Sequence, residues 1–419
     1  MKNRFGLSLF FLVFLINVVL PVVPRSDAIW NVPTGMSILL QGNINLDEYP
    51  ELQKEFGGYG LVHIDGKSYN IFPIGVSLLA LPQLFLMTQI NGSKEILNHS
   101  LEAGKFVAAA WMGIAALFVF LGFREKLGQS KALLFSLLFA FATPALSTGG
   151  RALWQQSGAL LLNSALFFLL VRGRYDIRTM IWVGLVCGLG VWVRPTTLLV
   201  SGPVFLFFLV KRRLRANWIL LPAIPLFAAY LMFNLNLYGS LFPVYFSHHI
   251  DRVFKFETFG QGLAGILISP NRGLFIWSPF LFFSVIGMLK MRGQKDSSLS
   301  WLFLSCIVTH LFLISSFDMW WGGHSVGPRL LTEILPFFLW FAAKGSPDFS
   351  KSMPTRSWFR SIWVATCILS VVFHLRASVD LGPTLWNRSP RNVDEFPERV
   401  WDWKDLQFLS GDHALKFFL

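Results

Sequence analysis

The stretch IFPIGVSLLALPQLFLMTQI, residues 71–90, decides how the rest of the chain is read. It is apolar enough and long enough to enter a bilayer. Pro73 and Pro82 interrupt it, however, and a proline removes a backbone donor and breaks the helical ladder. If this stretch crosses a membrane, every later loop changes side. If it does not, it is a juxtamembrane or re-entrant segment.

The surrounding chain sets the question. Hydrophobic residues make up 54% of the 419 and charged residues only 14%, with a mean hydropathy of +0.54, which excludes an ordinary soluble domain. Eleven other apolar runs lie at 5–24, 104–123, 131–148, 154–171, 179–193, 196–210, 216–236, 273–289, 299–317, 328–343 and 359–375. In lipid the backbone must satisfy its own hydrogen bonds, so such runs read as helices. The period-2 alternation of a membrane β-barrel is absent. The first run follows Lys2 and Arg4 and competes with a signal-peptide reading, but it is long for one and lacks a clean small-x-small cleavage site. It reads as a retained first helix. Cys187, Cys306 and Cys367 all fall within apolar runs, which fits neither a metal set nor a disulfide framework.

Charge decides the fate of 71–90. With that stretch outside the count and the N-terminus cytoplasmic, the cytoplasmic loops are FREKLGQSK, VRGRYDIR, KRRLR, KMRGQKDSS and KGSPDFSKSMPTRSWFR. All are basic and hold only Glu125, Asp176, Asp296 and Asp348 of the 23 acids. That is the positive-inside pattern, and letting 71–90 cross would turn KRRLR outward. The net charge of +13 therefore reports cytoplasmic loops rather than nucleic-acid binding. The expected fold is an all-α polytopic membrane protein of about 11 transmembrane helices, in the plasma (inner) membrane, with the C-terminus outside. Residues 1–376 form the membrane domain, with an outward first loop at 25–103 that contains juxtamembrane helices. Residues 377–419 form a tail that packs on the outer face.

Candidate site residues gather on the outward side. Asp27, just past helix one, suits a general base at the membrane surface, or else a plain N-cap. Asp47, Glu48 and Glu51 follow a QGN turn and suit a solvated face, or a hard cation such as a divalent metal. Arg194 in VRPTT can meet a phosphate or snorkel to the interface. YFSHHIDRVFKF carries His248, His249, Asp251 and Arg252, either a metal-binding group or a polar loop. In FDMWWGGHSVGPRLLTEILP, Trp320 and Trp321 suit an aromatic belt or a sugar-stacking surface beside His324. Arg329 and Glu333 stand at i and i+4, where a helix would pair them, and Arg329 is also a candidate phosphate contact.

The order of these pieces resembles a known family. Asp27, then LLQGNINLDEYP, then DGKSYNIFPIGVSLLALP are similar to the first outward loop of GT-C glycosyltransferases, especially the aminoarabinose transferase and protein O-mannosyltransferase branch. RPTTLLV and GPRLLTEILPFFLW resemble later family segments, and GLFIWSPFLFF and ERVWDWKDLQFL resemble uncharacterised bacterial relatives. Gly66, Lys67, Tyr69 and Pro73 match the family's loop pattern. Ala28 stands where the family has a second acid, and Ile74 where it has a second proline.

The resemblance implies an inverting transfer of a sugar from a polyprenyl-phosphate donor, at the outer face, to a lipid, glycan or protein acceptor. Asp27 would be the base, with Arg194 and Arg329 at the phosphate. Asp47, Glu48, Lys67, Tyr69, His249, Trp321 and His324 would line the substrates among membrane lipids, and a divalent metal stays open. The rivals are a multi-pass transporter of a lipid-linked or small polar substrate and a non-catalytic binder of lipid-linked glycans. A transporter would show ionisable groups at mid-membrane and internal repeats, whereas the charges here lie at the outward ends of the runs.

Overall fold

The structure is a computed structural model and describes residues 4–23, 27–247, 255–293, 296–347 and 357–411, with the backbone alone for 212–215. Among these residues, four helices are long and apolar enough to cross a membrane: Ser100–Leu127, Ala216–Tyr238, Ser297–Ser315 and Ser357–Val379. Shorter apolar helices accompany them at Arg4–Val19, Gln129–Phe141, Ile177–Val193, Pro195–Lys211 and Pro279–Leu289. Large apolar side chains remain on the outside, among them Leu7, Phe11 and Leu15 on the first helix, whose Leu9 and Val13 are buried. A helix that is apolar on both faces suits lipid on one side and protein on the other.

Helix α1 (Arg4–Val19) packs antiparallel against α6 (Ser100–Leu127). Phe14 meets Phe106 edge-on, a Cβ on Gly113 would lie 2.8 Å from the Phe10 ring, and one on Gly6 would lie 2.9 Å from Leu117. Lys105 Nζ, near the start of α6, donates to Val18 O and Leu20 O at the end of α1. The chain between these helices therefore leaves and returns at one end of the bundle. It contains α2 (Asn31–Gln41), α3 (Pro50–Phe56), α4 (Gly75–Asn91) and α5 (Ser93–Asn98). Segment 71–90 is thus mainly α4, a helix with Pro82 inside it that starts and finishes at this end. Its Gly75 lies against the last turn of α9 (Ile177–Val193), where a Cβ would come within 2.1 Å of the Trp192 backbone.

The same loop departs from all-α expectation. Strands β1 (Leu61–Ile64) and β2 (Lys67–Asn70) form an antiparallel hairpin. Asp65 (φ 50°) and Gly66 (φ 76°) both take left-handed backbone, as a two-residue hairpin turn through Asp-Gly requires.

From α6 the chain runs through α7 (Gln129–Phe141), a π-helical turn at Ala145–Gly149, and α8 (Gln155–Arg172), which lies parallel to α6. Helix α10 (Leu198–Tyr238) is continuous in its hydrogen bonding but cannot be straight. Trp192 Nε1 donates to Leu226 O at 2.8 Å. A straight helix would put Leu226 about 42 Å from Leu198, while six residues from Trp192 to Leu198 span at most about 21 Å. Tyr175, before α9, meets Phe208 at 5.2 Å. The helix therefore folds back between Phe208 and Ala216, at KRRLR, and its two halves flank α9 in opposite directions.

A short helix α11 (Val244–Ser247) and α12 (Phe259–Ile268) follow on the Asp27 end. Next come α13 (Leu274–Trp277), α14 (Phe283–Leu289), α15 (Ser297–Ser315), a 3-10 turn at Arg329–Ile334 leading into α16 (Leu335–Gly345), and α17 (Ser357–Val379). Phe303 on Phe337, and Trp340 Nε1 to Ser300 Oγ, lock α15 to α16. His374 of α17 lies between the hydroxyls of Ser147 and Ser278, each at 2.8 Å. At the end opposite Asp27, Lys126 pairs with Asp296 at 2.8 Å and ties α6 to α15. Beyond α17, α18 (Gly382–Leu385) and two 3-10 turns lie against Asn271 and Arg272. The three cysteines are buried and unpaired.

Candidate active site

Asp27 sits in the turn between α1 and α2. Its position depends on Trp30, which is wholly buried, meets Phe56 edge-on and donates from Nε1 to Tyr59 O at 2.6 Å. That contact brings the Tyr59 hydroxyl to Asp27 Oδ1 at 2.8 Å. Partial burial of the ring, and then the Asp27 charge, push the Tyr59 phenol above its ordinary pKa, so it remains a donor. From 302 residues away, Arg329 Nη2 reaches Asp27 Oδ2 at 3.2 Å. The carboxylate is thus held at both oxygens, yet its side chain keeps 23% of its surface exposed. It is positioned and still reachable.

Arg329 opens the 3-10 turn, lies over the Trp154 ring at 5.0 Å, and has a buried Nε with no partner among the described residues. The loop before it bends through Gly322, Gly323 and Gly327, all at positive φ. Arg272 supports that loop from below, donating to Trp321 O, Gly323 O, Gln407 and Asn387. Those acceptors are all neutral. Burial above all, then the Arg329 charge, pulls Arg272 down to about 9, which leaves it cationic at neutral pH. Arg151 is likewise buried and donates only to carbonyls, of Pro21 and Ala377. Among the described residues, this end of the bundle therefore holds more buried positive charge than its carboxylates match.

The expected Arg329–Glu333 pair does not form. A 3-10 turn has three residues per turn, so i and i+4 stand about 120° apart instead of nearly aligned. Glu333, fully buried, pairs instead with Arg194 at 2.6 Å and accepts from Thr196 Oγ1 at 2.8 Å, with His310 Nδ1 at 3.3 Å. Arg194 is therefore neutralised beneath the surface, not open to a phosphate. Asn163 Nδ2 holds Glu333 O, and Leu330 O meets His310 Nε2, so this cluster fixes the turn that carries Arg329.

The other sequence candidates disperse. Asp47 Oδ1 accepts from Ser68 N and ties the loop after α2 to β2, while Glu48 Oε1 accepts from Ser37 Oγ and ties that loop to α2. Lys67 is exposed at the start of β2, and Tyr69 is half-buried opposite Asn45. Trp321 Nε1 and His324 Nε2 converge on Asp394 of the tail, and His324 also reaches Asn392 Oδ1 at 2.8 Å. His249, with His248, Asp251 and Arg252, lies outside the described residues. Among the described residues no three His, Cys, Asp or Glu side chains form a group able to hold a metal ion. Sequence reasoning missed Tyr59, Trp154 and Asp394; only the unusual tryptophan content of the outward loops hints at the second.

Residues 85–236 match the family model for dolichyl-phosphate-mannose-protein mannosyltransferases. The matched stretch runs from within α4 almost to the end of α10 and leaves Asp27, Tyr59 and Arg329 outside it. No curated protein and no solved structure matches the chain.

Proposed function

We propose that the chain is an integral-membrane glycosyltransferase of the GT-C type, crossing the plasma membrane eleven times with its N-terminus cytoplasmic. It transfers a sugar, with inversion, from a polyprenyl-phosphate donor to an acceptor at the outer face. The observation that carries this reading is Asp27 clamped by Tyr59 and Arg329 at the end of the bundle opposite the basic loops. The family match over 85–236 supports the class. Asp27 removes the acceptor proton as the acceptor oxygen or nitrogen attacks the anomeric carbon and the bond to phosphate breaks. Arg329 orients Asp27 and, with the buried charges of Arg272 and Arg151 behind it, favours negative charge on the departing phosphate. Arg194 and Glu333 act by positioning the Arg329 turn.

Mass spectrometry of lipids, glycans and glycoproteins from wild-type and deletion strains tests the class. One glycoform disappears in the deletion and its polyprenyl-phosphate sugar accumulates. An unchanged glycan profile contradicts it. The buried Arg194–Glu333–His310 cluster favours a second reading, a transporter, because ionisable groups inside a membrane often mark a substrate or proton path. That reading requires lost uptake of a solute in the deletion with every glycoform retained.

A further inference from the structure

We propose that the end of the bundle opposite Asp27 carries a site for a phosphate-bearing lipid headgroup. A cavity of about 370 Å³ opens there, with Lys126, Lys211, Asp296, Tyr175, Ser298 and Phe207 in its wall. That volume is at the small end of ligand sites, about 300–1,000 Å³, and suits a compact headgroup rather than a sugar nucleotide.

Charge selects the ligand. Two lysines face one aspartate, and Lys126 is held by that aspartate at 2.8 Å. Lys211 is exposed and has no partner among the described residues. The wall is thus net positive and has an unmatched ammonium. Ser298, in the first turn of the 19-residue α15, adds a hydroxyl donor close to the positive end of that helix.

The apolar part of the wall identifies the source of the phosphate. Phe207 lines the cavity, and beside it on α10 Leu206, Leu209 and Val210 are exposed. A soluble phosphate has no use for such a surface, whereas an acyl chain does. The basic loops gather at the same end, and anionic lipids of the cytoplasmic leaflet concentrate beside such loops. The site rests on the membrane placement given above and not on the transfer chemistry.

The test uses the full-length protein in nanodiscs of phosphatidylcholine alone, or of equal parts phosphatidylcholine and phosphatidylglycerol, and reads the thermal unfolding midpoint. Phosphatidylglycerol raises the midpoint of the wild type. Lys211→Gln, at an exposed position, at least halves that rise, as does Lys126→Gln. Lys290→Gln, an exposed lysine at the same end but outside the cavity wall, keeps it in full. No rise in the wild type, or an equal loss in Lys290→Gln, overturns the site. Inorganic phosphate added to phosphatidylcholine discs gives no rise. A rise that depends on Lys211 there would overturn the lipid as source and leave a soluble phosphate. Protein that fails to enter discs at all would refute the membrane placement instead.

Discussion

Removing the Glu333 carboxylate probes the unforeseen part of the architecture. Glu333 is fully buried; it accepts from Arg194 at 2.6 Å and from Thr196 at 2.8 Å, and the His310 ring lies 3.3 Å away. Glu333→Gln strands the Arg194 guanidinium, whose side chain is 7% exposed, with no carboxylate to balance it. Breaking a buried pair from one side costs about 3–5 kcal/mol. Arg194→Met costs a similar amount by stranding Glu333. The double variant Arg194→Met/Glu333→Gln removes both charges, leaves an acceptor for Thr196, and recovers at least about 2 kcal/mol relative to either single variant, because an apolar replacement of a buried pair is often nearly neutral. Denaturant unfolding in mixed micelles, followed by tryptophan fluorescence, reads all four proteins. Single costs below about 1 kcal/mol, the range of an exposed pair, would refute the argument. So would a double variant whose loss equals the sum of the singles, because that means no coupling.

Two further outcomes follow from the same geometry. Tyr59→Phe deletes a hydrogen bond to a charged group, about 1.5–3 kcal/mol, so transfer falls roughly 10–100-fold while folded yield holds. Because the phenol's pKa is raised, it keeps its proton as pH rises through 10, and the alkaline limb of activity has the same shape in wild type and Tyr59→Phe; a wild-type limb missing from the variant would contradict this. Gly75→Val would drive a side chain into the Trp192 backbone, where even a Cβ comes within 2.1 Å. Overpacking of that kind costs about 1–3 kcal/mol, so the unfolding midpoint drops, and an unchanged midpoint would show that α4 does not dock on α9.

Much of the frame was readable because charge and hydropathy act locally. KRRLR marks the reversal of α10 even though its backbone stays helical, and the two prolines with the charge pattern kept 71–90 at one end of the bundle. Asp-Gly at 65–66 carried the hairpin signal, yet the apolar context drew attention to helices. The site was less legible. Asp27 and Arg329 stood out as polar residues at apolar boundaries, but their meeting across 302 residues is a property of packing. Glu333 went to the wrong partner because spacing rules assume an α-helix, and a 3-10 turn rotates i+4 onto another face. Tyr59 lies in an unremarkable GGYG turn, and only the buried Trp30 beneath it reveals why it faces Asp27.

The most direct measurement is mass spectrometry of glycans and lipids from a deletion strain carrying either wild-type protein or Asp27→Asn, with protein levels matched by immunoblot. Asparagine preserves size and can still meet Tyr59 and Arg329, but it cannot take up the acceptor's proton. The wild type is expected to restore the missing glycoform, and Asp27→Asn to accumulate in the membrane without restoring it. Full restoration by Asp27→Asn would contradict the assignment of Asp27 as the base.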